Sequence, residues 1–170
     1  DYVDIEAQIW KPMHQEMVDR GSKASWSFYG VRFGSRVECD YYTVNIFYGA
    51  EAAENDLSDL AEIFAKVHPD KDFGEAMAKT MASREMVSSQ LWTQVGGIAP
   101  ESFKYVYVNR MSADNWGEYI DFEMDVFLPV HQSLVDDGKM NGWHLYQLVS
   151  PYGTSFGYNF ATADFVDNLS

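Results

Sequence analysis

One stretch of the chain occurs twice. Residues 2–29 read YVDIEAQIWKPMHQEMVDRGSKASWSFY and residues 119–146 read YIDFEMDVFLPVHQSLVDDGKMNGWHLY, at a constant offset of 117 with no gap. Eleven of the 28 positions are identical, among them Pro12/Pro129, His14/His131, Asp19/Asp136, Gly21/Gly138, Trp26/Trp143 and Tyr29/Tyr146. Self-similarity of this kind marks a duplication. It constrains the fold more tightly than any local propensity, because whatever the stretch forms must form twice.

The periodicity inside the repeat predicts a helix over residues 2–20. Ile5, Ile9, Met13 and Met17 make an apolar stripe at i+4 spacing, widened by Trp10 and Val18. Phe122, Val126, Val130 and Leu134 repeat the stripe. Gly21 and Gly138 stand where a left-handed cap ends a helix. Pro12 and Pro129 lie inside, where each removes a backbone donor and bends the helix. Strands are expected over 24–33 and 40–48, joined by a turn at Gly34-Ser35-Arg36, because both segments are rich in aromatic and β-branched residues.

Beyond them the pattern predicts helices over 52–68, with Leu57, Leu60, Phe64 and Val67 inward, and 71–84, with Phe73, Met77 and Met81 inward. Strands follow over 86–95, broken by Gly96-Gly97, and over 103–109. The second repeat then supplies a helix over 119–137 and strands over 142–149 and 155–162, with 163–170 as a tail. A strand before the helix of each repeat gives the order β-α-β-β-α-β, the split βαβ pattern of ferredoxin-like units. The expected organisation is two repeats, 1–98 lacking its opening strand and 99–170 lacking its closing helix and strand. Unpaired strand edges are sticky, so the two sheets are expected to pack on each other or the chain to form a homo-oligomer.

The order of elements and the motif W/F-x-P-x-H-Q-x-x-V-D-x-G, followed by a Trp and a Tyr on the next strand, resemble the dimeric α+β barrel superfamily. The resemblance covers both repeats, about half of the chain, and extends to a group of bacterial proteins with tandem repeats. It implies an α+β fold in which tandem ferredoxin-like repeats form a pseudo-dimer of antiparallel sheets covered by helices. It also implies an extracytoplasmic home. The superfamily holds enzymes, haem proteins and plain binding modules, so the fold does not choose among them.

The formal net charge of −14 argues against a nucleic-acid partner, which requires a basic face. No apolar run approaches a membrane span. The single cysteine, Cys39, sits between Glu38 and Asp40, neighbours that disfavour a thiolate. No phosphate-binding glycine loop or dinucleotide fingerprint is present, so no nucleotide cofactor is expected and no motif names another. No H-x-x-x-H spacing occurs, so no metal is expected either.

His14 and His131 are the sharpest candidates for acid–base work, since each borders an apolar stripe one turn after Trp10 or Phe127. Asp19 and Asp136 are anions in the last turn of a helix, where the macrodipole opposes them. Gln15 and Gln132, one turn earlier, offer them a structural partner. Trp10, Trp26, Tyr29, Asn45, Trp143 and Tyr146 are candidates to line a pocket for a small apolar or aromatic molecule. Three readings result: a protein that binds or transforms such a molecule between sheet and helix, a non-catalytic module whose repeat encodes packing alone, or, with less support, a protein that binds haem through one histidine.

Overall fold

A computed structural model describes residues 1–33, 39–55, 58–151, 153 and 156–169. The Gly34-Ser35-Arg36 turn and Leu57 lie outside them. The fold is α+β, with antiparallel sheets and helices. The chain parts into two compact units, Asp1–Ser88 and Ser89–Ser170. The division falls ten residues before the expected boundary at 98/99, and the strand that follows it pairs within the second unit.

The first unit begins with helix α1 (Tyr2–Ile5), capped by the Asp1 carboxylate, which accepts from the Val3 N–H at 3.0 Å. A π-helical turn over Glu6–Trp10 follows, and then α2 (Lys11–Asp19). The proline is accommodated at this turn. Pro12 has no N–H to give, and the wider turn places the Lys11 N–H on the Glu6 carbonyl instead. Gly21 closes α2 at φ 77°. Strands β1 (Ser25–Gly30) and β2 (Tyr41–Ile46) then pair antiparallel, with Trp26 opposite Asn45 and Phe28 opposite Thr43.

The single helix expected over 52–68 is two, α3 (Ala50–Glu54) and α4 (Leu60–Val67), before α5 (Phe73–Ser83). Trp10, Met13 and Met17 bury against Ile63, Phe64 and Ala76. Helix α2 therefore lies between the β1–β2 sheet and α4–α5. Met81 is exposed rather than inward; Ala76 and Thr80, one turn apart, take the buried side. The Thr80 hydroxyl donates to the Ala76 carbonyl and accepts the Trp10 indole N–H at 2.9 Å.

The second unit holds β3 (Leu91–Ile98), β4 (Tyr105–Met111), α6 (Trp116–Phe122), a second π-helical turn (Glu123–Phe127), α7 (Leu128–Asp136), β5 (Gly142–Ser150) and β6 (Phe160–Val166). The sheet order is β3-β5-β6-β4, antiparallel throughout. Strand β3 runs through Gly96-Gly97 instead of stopping there, because these glycines serve close approach. A Cβ on Gly97, at φ 147°, would stand 2.3 Å from the Trp143 carbonyl oxygen. Strand β6 also extends to Val166, into the segment read as a tail.

The helix of the second unit packs inward through Tyr119, Ile120, Met124 and Leu128 onto Trp143, Leu145 and Phe160. The repeated stripe behaves differently in the two copies. Its members Phe122, Val126 and Val130 are exposed, because nothing described in this unit plays the part of α4 and α5. No described helix is long and apolar enough to cross a membrane.

The two kinds of glycine separate in a stability experiment. Gly97→Ala meets backbone and should cost more than about 2 kcal/mol by chemical denaturation. Gly21→Ala meets open space and bears only the left-handed strain, about 1–2 kcal/mol. Equal costs would mean that β3 does not press on β5 as described.

Candidate functional site

In both units the histidine of the repeat lies flat on the tryptophan of the next strand. His14 stacks on Trp26 with centroids 4.8 Å apart and planes 18° apart. His131 stacks on Trp143 at 4.8 Å and 14°. What surrounds the two rings differs.

In the first unit the Lys23 ammonium donates to His14 Nδ1 at 3.0 Å and to Asn45 Oδ1 at 2.7 Å. Lys23 is 1% exposed. Burial, and then the Lys23 charge, push the His14 pKa down to about 3, so the ring is neutral and its Nδ1 accepts. Glu6, buried nearby, has its pKa raised by that burial against the opposing influence of Tyr2 and Arg84. Arg84 reaches Glu6 Oε1 at 3.5 Å and the Tyr2 hydroxyl at 3.2 Å. Trp10 is bonded to Thr80. His14, Lys23, Asn45, Glu6 and Trp10 are thus engaged by the chain itself, while the buried Trp26 Nε1 has no hydrogen-bond partner among the described residues.

In the second unit the same framework borders an open cleft of about 230 Å³. Glu123, Phe127 and His131 line it from the helix, Trp143 from β5, Thr162 and Asp164 from β6, and Asn109 and Met111 from β4. His131 Nδ1 is buried and has no hydrogen-bond partner among the described residues. Lys23 is replaced by Met140, which packs on the apolar cluster of Trp143, Leu145 and Phe160.

Strand pairing defines the remaining correspondence. Trp26 faces Asn45, and Trp143 faces Asp164. Asp164 is therefore the counterpart of Asn45, and Thr162 of Thr43. Asn109 donates from Nδ2 to Asp164 Oδ2 at 3.1 Å and to Thr162 Oγ1 at 3.3 Å. Burial raises the Asp164 pKa above the ordinary carboxyl value, opposed by His131 and by the Asn109 bond. Burial and the Glu123 carboxyl together raise the Tyr119 phenol. Among the described residues no three His, Cys, Asp or Glu come together as a metal would need.

The cleft gathers His131 and Trp143 from the residues singled out in the sequence. Asp19 and Asp136 lie elsewhere, on exposed helix ends. Each accepts at 2.8 Å from the glutamine one turn earlier, Gln15 or Gln132. Those bonds offset the unfavourable helix dipole. Tyr29 and Tyr146 stand three residues after their tryptophans and so face the other side of the sheet. Tyr146 bonds there to His144 Nδ1 at 2.8 Å. Asn45 and Trp10 belong to the engaged site of the first unit. Sequence reading missed Asp164, Asn109, Glu123 and Lys23 as site groups. A signal for Asp164 exists in Phe160–Val166, where FATADFV continues the strand alternation.

No family model matches the chain, and neither the curated proteins nor the solved structures compared with it include a match.

The contrast at the two rings gives a pH prediction. The His14 pKa is about 3 when folded, against 6.5 for the free side chain. Its neutral form therefore contributes stability that is complete above pH 6.5 and is lost as pH falls from there toward 3. In His14→Gln, unfolding stability should depend less steeply on pH across that window, measured by urea titrations at a series of pH values. Lys23→Met should raise the His14 pKa only part of the way, since burial is the larger cause. An unchanged pH profile in His14→Gln would count against the buried, neutral ring.

Proposed function

We propose that the second unit binds a small molecule in its helix–sheet cleft, with His131 as the group that accepts or donates a proton. One observation carries this reading: His131 Nδ1 is buried without a hydrogen-bond partner among the described residues, whereas the same atom of His14 is taken up by Lys23. Leaving a buried polar atom unpaired costs about 1–3 kcal/mol, and a ligand that completes the bond recovers that loss. Asp164 and Glu123 give the cleft two carboxyl groups beside the imidazole, the kind of set from which acid–base chemistry is built. A cleft of about 230 Å³ suits a ligand smaller than a drug-sized molecule.

We read the second unit as a ferredoxin-like repeat of the dimeric α+β barrel type. The support is topological: β4, the helix and β5 form a split βαβ, with β6 inserted between the strands. Strand β3 adds to the β5 edge, which departs from the simple pattern.

The alternative reading, a packing module with no ligand, has its own support. In the first unit the counterparts of the cleft residues are covered: Trp10 by Thr80 and Glu6 by Arg84.

The test is a titration of isotopically labelled protein with phenol, benzoate, benzylamine and benzyl alcohol, following the ring signals of the histidines. At least one probe should move the His131 ring and leave His14 in place, and His131→Asn should weaken that probe by about tenfold, equivalent to about 1.4 kcal/mol. If no probe moves His131, or if binding is indifferent to His131→Asn, the packing module is the better reading.

A further inference from the structure

We infer that the ligand of the second unit is a small primary amine, held as its ammonium between His131 and Asp164. This rests on the ligand cleft proposed above and names the class of molecule it takes. The first unit supplies the pattern. There an ammonium, the Nζ of Lys23, bridges His14 Nδ1 at 3.0 Å and Asn45 Oδ1 at 2.7 Å. The second unit keeps both acceptors and removes the ammonium. His131 stacks on its tryptophan as His14 does. Asp164 occupies the strand position of Asn45, and Met140 stands where Lys23 stands in the repeat.

Each change favours a cation from outside. The exchange of an amide for a carboxylate turns a neutral acceptor into an anionic one, and hydrogen bonds between charged partners are roughly twice as strong as neutral ones. Asn109 engages Asp164 through Oδ2, and Oδ1 carries no hydrogen bond among the described residues. Glu123, 7% exposed, adds a second carboxyl to the lining. Among the described residues no Lys or Arg lines the cleft. An anionic ligand would therefore meet two carboxyl groups and no countercharge. Phe127, 39% exposed on the lining, offers an aromatic surface for the rest of the molecule, and its face also attracts cations. The wall of the cleft thus matches a short amine with an apolar or aromatic body.

Three probes of one shape separate the possibilities: benzylamine, benzyl alcohol and benzoate, each titrated by calorimetry and by the His131 ring signal into the full chain at neutral pH. Benzylamine should bind at least about tenfold more tightly than benzyl alcohol, a difference of about 1.4 kcal/mol, and benzoate should not bind. Asp164→Asn, which copies the first unit, should weaken benzylamine by about tenfold and leave benzyl alcohol unchanged. Met140→Lys should abolish benzylamine binding by supplying the chain's own ammonium, and the free variant's His131 signal should move toward that of His14. Asp164→Asn keeps the test decisive if Met140→Lys does not fold. If benzyl alcohol or benzoate moves His131 as strongly as benzylamine, the amine assignment is overturned while the ligand cleft stands. If no probe moves His131, both fall.

Discussion

The imidazole lying on the indole is the contact on which each unit is arranged. It joins the middle of a helix to the first strand after it, and it is made twice with nearly the same distance and tilt. The helix meets the sheet in this way because its backbone is not uniform. The proline two residues before each histidine cannot donate, and a π-helical turn absorbs the lost bond. That turn changes the rotation of the residues that follow relative to those before. Glu6 and Trp10, or Glu123 and Phe127, are carried in that turn on the same helix as the histidine, and in the second unit they line the cleft with it. The glycine at the end of the helix then sends the chain back along the sheet, which brings the tryptophan under the ring.

Given one framework, the differences between the copies can be read as chemistry. In the first, a lysine, an amide and a neutral imidazole satisfy one another, an arginine meets the buried glutamate, and Thr80 of α5 accepts the Trp10 indole N–H. In the second, a methionine, a carboxyl group and an imidazole whose Nδ1 has no hydrogen-bond partner among the described residues take their place, the latter two bordering an open cleft. The outer stripe of the helix follows the same division. It is core where α4 and α5 lie on it and exposed where no described element does. The hydrophobic pattern is common to both copies, so the burial of any one position depends on what lies next to it.

Much of this framework was legible in the residues. The ungapped repeat fixes the helix, its glycine stop and the strand beneath it, and the aspartates with their glutamines behave as the i+4 spacing requires. Asp164 was hidden for a definite reason. The two strands of the second hairpin are separated by two more residues than those of the first, so that Asn45 and Thr162 share the offset of 117 while Asn45 and Asp164 share the place opposite the tryptophan. Pairing, which sequence spacing does not contain, decides between them. Gly96-Gly97 misled for a related reason. A glycine pair reads as a break, yet here it lets two strands approach more closely than a Cβ allows. Lys23 escaped notice because a lone lysine after a helix reads as solvated, and only the fold reveals that it is buried.

The differences at the second ring each carry a physical cost. Loss of the lysine alone would leave an imidazole nitrogen unpaired, at about 1–3 kcal/mol. A carboxylate placed in half-buried surroundings carries a desolvation cost as well, visible in the raised pKa of Asp164. A module selected only for packing lowers both costs by keeping the lysine and the amide, as the first copy does within the same chain. On the proposed reading the two differences are compatible, because an external ammonium would bring to the second ring the positive charge and the N–H that Lys23 brings to the first. A site bears local instability when empty and recovers it when filled. Among the described residues, the His131 nitrogen and the Asp164 carboxyl group are where the second copy differs from the first in this respect.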